Sequence, residues 1–103
     1  MRALENKKML MVIAPSELQS LVVSTVRRRG VGGYTAVPAT GAGVTGLQSG
    51  IFNDSNVVIY IIMSEPRLRL VLEDFDALMT AGYRVKAIVL DIAILPRKPS
   101  APE

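Results

Sequence analysis

The octapeptide NVVIYIIM, residues 56–63, is apolar at nearly every position, so both of its alternating sets of side chains are hydrophobic. Successive side chains of a strand point to opposite faces of a sheet, and a strand of this kind has no face suited to water. KKMLMVIA (7–14) and KAIVLDIAIL (86–95) share the pattern. A sheet built from such strands has to be covered on both sides. Helices of the same chain cover one; the other is expected to be buried against further subunits. The longest apolar run, Val57 to Met63, has a strand's length and falls far short of the roughly 20 residues that cross a bilayer as a helix.

Two segments between the strands carry the helical period instead. PSELQSLVVSTVRRRG (15–30) sets Leu18, Leu21, Val22 and Val26 on one face. Ser16, with Gln19 three residues on, has the form of a capping box, which predicts Ser16 as the N-cap. Arg27 to Arg29 fall in the last turn, where positive charge opposes the helix dipole, and Gly30 is positioned as the C-terminal cap. SEPRLRLVLEDFDALMTAG (64–82) has Pro66 in its first turn, one stripe of Leu68, Val71, Leu72, Phe75, Leu78 and Met79, and Gly82 at its end. GGYTAVP (32–38) is short and β-prone, and is expected to pair with 56–63. The order β-α-β-β-α-β is that of the ferredoxin-like α+β fold, a four-stranded antiparallel sheet with two helices on one face. With 103 residues, no repeat and no linker, the chain reads as one domain, 1–103, with 1–6 and 98–103 as flexible tails.

Composition removes several classes of chemistry. The chain has no Cys and no His, hence no disulfide framework, no thiol nucleophile and no imidazole for proton transfer near neutral pH. No nucleophile and base are paired, so no catalytic residue is assigned and an enzyme is not expected. Met9, Met11, Met63 and Met79 lie in the strands or on the helix stripe, where methionine fills a core, and no metal site is assigned to them. The net charge of +3 is spread over the N-terminus, 27–29, Arg67, Arg69 and the C-terminal end rather than along one stripe, which argues against a nucleic-acid partner. The basic N-terminal stretch precedes an apolar run that stops at Pro15, with no cleavage signal after it, so the expected location is the cytoplasm.

Between the second and third strands runs PATGAGVTGLQSGIFNDSN (38–56), glycine-rich and carrying one charge, Asp54, which reads as turn chemistry. Its glycines suit a backbone whose amides approach an anion, or plain flexibility. Leu47, Ile51 and Phe52 read either as a lid folding over a pocket or as a patch that docks a partner. Lys86 reads as a contact to a phosphate or as a solvated lysine at a strand edge, and Arg97 as its companion or as a mobile surface arginine. Asp91, inside an apolar strand, is a candidate buried carboxylate, read as the partner of a basic neighbour or a backbone cap rather than a catalytic group.

GGYTAVPATGAG is similar to a G-x-T-x-x-x-x-x-G-x-G segment, with Gly33, Thr35, Gly41 and Gly43 at the matching positions. VVIYIIMSEPRLRLVLEDF follows the strand and helix that come next, and KAIVLDIAILPR a K-I-F-V-x-D-V strand, with Lys86 and Asp91 at the same interval. In these stretches, from Met9 to Arg97, the chain resembles the PII-like signalling proteins, as a divergent member of the type associated with carboxysomes and bicarbonate. It departs from them at AGYRVK, where relatives have a longer T-G-x-x-G-D-G-K turn around phosphates: Gly82 and Lys86 match its ends, and Arg84 is an added charge. Val44 and Thr45 stand where relatives have an arginine and a glutamine. Ile94 replaces the first of two phosphate-facing arginines, while Arg97 matches the second. The loop has no tyrosine, so the nucleotidylation used by some relatives finds no acceptor.

The resemblance implies a homotrimeric regulator in nitrogen or carbon metabolism, without a required cofactor. It would sense a small anionic metabolite, an adenine nucleotide (ATP, ADP or AMP) with bicarbonate as a second candidate, in clefts between subunits. The implied ligand residues are Thr35, Gly41, Gly43, Val44, Thr45, Gly82, Arg84, Lys86 and Arg97. Ordering of the 38–56 loop would signal to an unidentified regulated protein, a transporter or an enzyme. The alternative is a ligand-independent interaction or assembly module on the same fold.

Overall fold

The computed structural model describes residues 1–40 and 55–98. In chain order these form β1 (Glu5–Pro15), α1 (Gln19–Arg27), β2 (Thr35–Ala39), β3 (Asn56–Met63), α2 (Glu65–Thr80) and β4 (Lys86–Ile94). The strands make one antiparallel sheet in the order β2-β3-β1-β4, with β3 inserted between β1 and β2 as the ferredoxin-like topology requires. No helix among the described residues is long and apolar enough to cross a membrane.

The register sorts the strand residues by face. Leu10, Val12 and Ala14 of β1 and Val57, Ile59, Ile61 and Met63 of β3 point to the helices and are buried. There they meet Val22 and Val26 of α1 and Leu68, Val71 and Phe75 of α2. Phe75 is the largest fully buried side chain among the described residues, and truncating such a group costs about 3–5 kcal/mol. The opposite face carries Met9, Met11, Ile13, Val58, Tyr60, Ile62, Ile88, Leu90 and Ile92 with nothing from the described residues over it. Ile62 keeps 44% of its surface exposed and Leu90 39%. Within the described part of the single chain, the doubly apolar pattern is therefore satisfied on one side only.

Both helices end on a glycine in the left-handed region. At Gly82 (φ 100°), its amide donates to the Met79 carbonyl and that of Tyr83 to Leu78, the paired bonds of a Schellman cap. At Gly30 (φ 83°), the same pair runs from Gly30 to Arg27 and from Val31 to Val26. The start of α1 differs from expectation. Ser16 makes no capping bond; it lies inside a 3-10 turn, Ser16–Leu18, entered directly from the extended Pro15, and its amide donates to the Ser55 carbonyl at 3.0 Å. Thr25 is buried, its hydroxyl donating to the Leu21 carbonyl at 2.7 Å, whereas Met79 of the expected stripe is exposed on the last turn of α2, beyond the edge of the core.

The strand bounds also differ from expectation. β2 begins at Thr35 rather than Gly32 and runs one residue further, to Ala39, while Pro38 and Asn56, shared by the expected strands and the expected loop, pair as strand residues; Pro38 is tolerated because β2 is an edge strand. Glu5 and Asn6, assigned to the tail by sequence, pair with Ile94 and Ala93. Because β3 stops at Met63 opposite Lys8, Glu5–Lys7 and Ile92–Ile94 continue as a two-stranded ribbon past the body of the sheet.

Candidate functional site

The chain leaving α1 makes its glycine turn at Gly30, runs through Val31, Gly32, Gly33 and Tyr34 without strand pairing, and joins the sheet only at Thr35, opposite Tyr60. The last residues of β3, Ile61 to Met63, thus have no β2 partner alongside. The gap is a cleft of about 580 Å³, within the range of ligand pockets, bounded by Gly30–Thr35 on one bank and by Met63, Ser64 and Arg67 on the other, with Tyr60, Ile62 and Lys7 completing it. Val31 alone of the approach segment is buried, and it anchors the bank to the core.

Arg67 crosses the gap. Its Nη1 donates a hydrogen bond to the Gly30 carbonyl. A Cβ at Gly30 would meet Nη1 at 3.2 Å and Cζ at 3.5 Å, so the guanidinium lies close against the turn and only glycine accommodates it there without displacement. Sequence reasoning noted Arg67 only as scattered charge: nothing local in Pro66-Arg67 signals a contact 37 positions away. Lys7 and Tyr60 were missed for the same reason, being neighbours of the cleft through strand register alone.

Of the residues expected to bind a ligand, Thr35 lines this cleft. Gly82, Arg84 and Lys86 do not. Lys86 opens β4 opposite Ile13, on the far edge of the sheet from β2 and toward the end where β1 meets Pro15. Three inter-strand steps separate the two edges, roughly 14 Å at ordinary strand spacing. Gly82 serves as the α2 cap, and Arg84 is an exposed residue of the connection to β4. Arg97 lies past the other end of β4, more than about 25 Å from Lys86 by strand rise, with its carbonyl accepting a bond from the Arg2 guanidinium at 3.3 Å. Among the described residues, one chain therefore presents Thr35, the Gly82–Lys86 group and Arg97 apart from one another. Gly41, Gly43, Val44 and Thr45, and the expected partner surface of Leu47, Ile51 and Phe52, lie outside the described residues.

Asp91 is not buried. Its side chain is 83% exposed and pairs with Lys8, the basic-neighbour role rather than the buried one. The burial expectation fails because Asp91 lies opposite Lys8, at the point where β3 comes to its end at Met63. The hydrogen bond to Asp91, reinforced by the charges of Asp91 and Glu65, holds the Lys8 ammonium above its ordinary range. A second hollow of similar size surrounds this group, but Lys8 spans Asp91 and Glu65 (4.0 Å), and Arg69 also reaches Glu65 (3.6 Å), so its charges are satisfied internally. The cleft at the start of β2 lacks any lining carboxylate among the described residues.

Comparison with known proteins adds the relationships of the chain. The family model for Nitrogen regulatory protein P-II matches residues 7–95. Among solved structures, a PII-like signalling protein of Thermus thermophilus is 29% identical, with a TM-score of 0.76 over 92% of this chain and 94% of that one. CPII of Thiomonas intermedia, a nitrogen regulatory PII-like protein, solved with ADP, AMP and acetate, is 26% identical, with a TM-score of 0.74 over 89% and 91% of the two chains. Its form bound to ADP and bicarbonate superposes with a TM-score of 0.79 at 23% identity over 93% and 95%, a likeness of fold. No curated protein sequence matches the chain.

Proposed function

This chain belongs to the nitrogen regulatory protein P-II family, and on that footing we propose that it is a cytoplasmic, non-enzymatic regulator that binds an adenine nucleotide between the subunits of a homotrimer. Its answer to the ligand is a change in the connection between β2 and β3, which alters the surface offered to a regulated protein.

The observation that carries this reading is the separation of Thr35 and its cleft from Gly82 and Lys86 at the two edges of one sheet. Two unlike surfaces on opposite edges complete each other only head to tail, and a head-to-tail contact that closes gives a ring. The uncovered apolar face supplies the material for such an assembly. The nucleotide assignment is supported by CPII, at 26% identity, bound to ADP and AMP, and the acetate also bound in that structure makes a small oxyanion such as bicarbonate the second ligand to try.

Calorimetric titration with ATP, ADP, AMP and bicarbonate tests the proposal. Binding of at least one adenine nucleotide is expected, weakened about tenfold or more in Lys86→Ala through loss of a charged contact. Absence of heat from all of them, with the protein assembled, removes the nucleotide reading and leaves a ligand-independent interaction module.

A further inference from the structure

On the helical side of the sheet, the outer flank of α1 stands beside the segment that leads into β2 and leaves a narrow groove. It holds about 350 Å³, at the small end of binding pockets, and is lined by Gln19, Ser20, Val23, Ser24, Arg27 and Tyr34. Ser20, Ser24 and Arg27 follow one another at helical spacing, so two small side chains form the floor and a guanidinium stands at its end. The Arg27 guanidinium lies over the Tyr34 ring, 5.8 Å from its centroid, which positions the cation. Glu17 and Asp54 are consecutive acids in the sequence, with Arg27, Arg28 and Arg29 between them. Among the described residues, neither Arg27 nor Arg28 has a carboxylate within ion-pair distance, Asp74 being taken by Arg29. Placement at a helix end explains why arginines are favourable there, but it does not require one of them to stand over an aromatic ring at the end of a groove.

We propose that this groove docks a short extended segment of a partner protein, whose acidic side chain is received by Arg27 and Arg28. That the partner is a regulated protein rests on the function proposed above; the charge and length of the groove rest on this chain's own geometry. From Gln19 to Arg27 the helix rises about 12 Å, the length of about four residues of extended chain. Glu17, just before the far end, disfavours a second acid there and so puts the acidic end of the segment at Arg27. Arginine and tyrosine are the residue types that most often carry the energy of a protein interface, and here the ring limits the rotamer freedom that Arg27 has left to lose. Two unpaired arginines are too few for a membrane surface, whose basic segments carry about four to eight cations.

The test follows the backbone amides of the assembled full-length protein by nuclear magnetic resonance during titration with a blocked tetrapeptide of two glutamates and two alanines, beside the same peptide with glutamines for glutamates. The glutamate peptide is expected to shift Ser20, Ser24 and Arg28 and to bind about threefold or more tighter than its glutamine counterpart, a preference that added salt erases. Arg27→Gln should weaken it about threefold, Arg27→Lys less, and the double variant Arg27→Gln, Arg28→Gln should bind both peptides alike. Arg69→Gln, on α2 and paired with Glu65, should bind as wild type does. Equal binding of the two peptides, wild-type affinity in the double variant, or no shift at these amides overturns the proposal. Dissociation of the double variant into single chains on sedimentation would assign the arginines to a contact between copies and overturns it as well. Capture of the protein on phosphatidylserine vesicles through the same arginines, with the peptide unbound, overturns it in favour of a membrane. The groove and the proposed function fail separately: nucleotide binding can be lost with the peptide still bound, and the peptide can fail while nucleotide binds.

Discussion

Arg29 and Asp74, 45 positions apart, are joined by two parallel hydrogen bonds of 2.8 Å, Nε to Oδ2 and Nη2 to Oδ1, which fasten the turn that follows α1 to the middle of α2. The pair is part-buried, and its fork geometry is the strong form of such contacts. The hydrogen bond from Arg29 is the largest influence on the Asp74 carboxyl and, with the charges of Arg29 and Arg28, outweighs desolvation to hold it below the usual carboxylate range. A carboxyl depressed in the folded state contributes stability that is complete above its unfolded pKa and disappears as pH falls through its folded one. Asp74→Asn should therefore lower the melting temperature at pH 7 by about 2–6 °C and converge with wild type as the pH drops below about 4. Thermal unfolding across that range checks it; a difference that stays constant down to the acid limit contradicts it.

The two glycine caps are predicted to differ in sensitivity. Gly82→Ala meets open space and incurs only the left-handed backbone cost, about 1–2 kcal/mol. Gly30→Ala bears that cost and also displaces the Arg67 guanidinium from 3.2 Å. Denaturant titration should rank Gly30→Ala as the more destabilised; the reverse order would mean that Arg67 moves aside freely.

The exposed sheet face should be an interface. Sedimentation of the wild type is expected to give a mass about three times the 11.1 kDa of one chain. Leu90→Glu, a charge on the face opposite the helices, should shift it toward the single-chain mass while the chain keeps its helical circular dichroism. A wild type that sediments as one chain contradicts the assembly and the shared ligand cleft together.

Thr25→Val tests the one polar side chain classed as buried among the described residues. Its hydroxyl bonds the Leu21 carbonyl one turn back, a bond that adds little to a helix, so the change should alter stability by less than about 1 kcal/mol. A larger loss on chemical unfolding would point to a second partner for the hydroxyl.

Strand and helix order, the termination of both helices at Gly30 and Gly82, and the pairing of the second strand with the third, though not its bounds, could be read from residue pattern, because each depends on hydrophobic period or on one residue's backbone preference. The Ser16 cap could not, since whether a serine lies before or within the first turn depends on how the chain leaves β1. For Asp91 the pairing with a basic neighbour was legible but its exposure was not: its apolar neighbours were visible, and the point at which β3 ends beside β1 was not.

The amino-acid order alone was enough to require a sheet greasy on both sides, since that depends on neighbours a few positions away, while Thr35, Gly82 and Lys86 came under suspicion through their match to the family's motifs. It could not bring Arg67 to Gly30, join Arg29 to Asp74, or set Thr35 and Lys86 on opposite edges. Those outcomes depend on which strands pair and in what register, settled by the packing of β1 and β3 under both helices, and a side chain's distant partner leaves no trace in its local pattern.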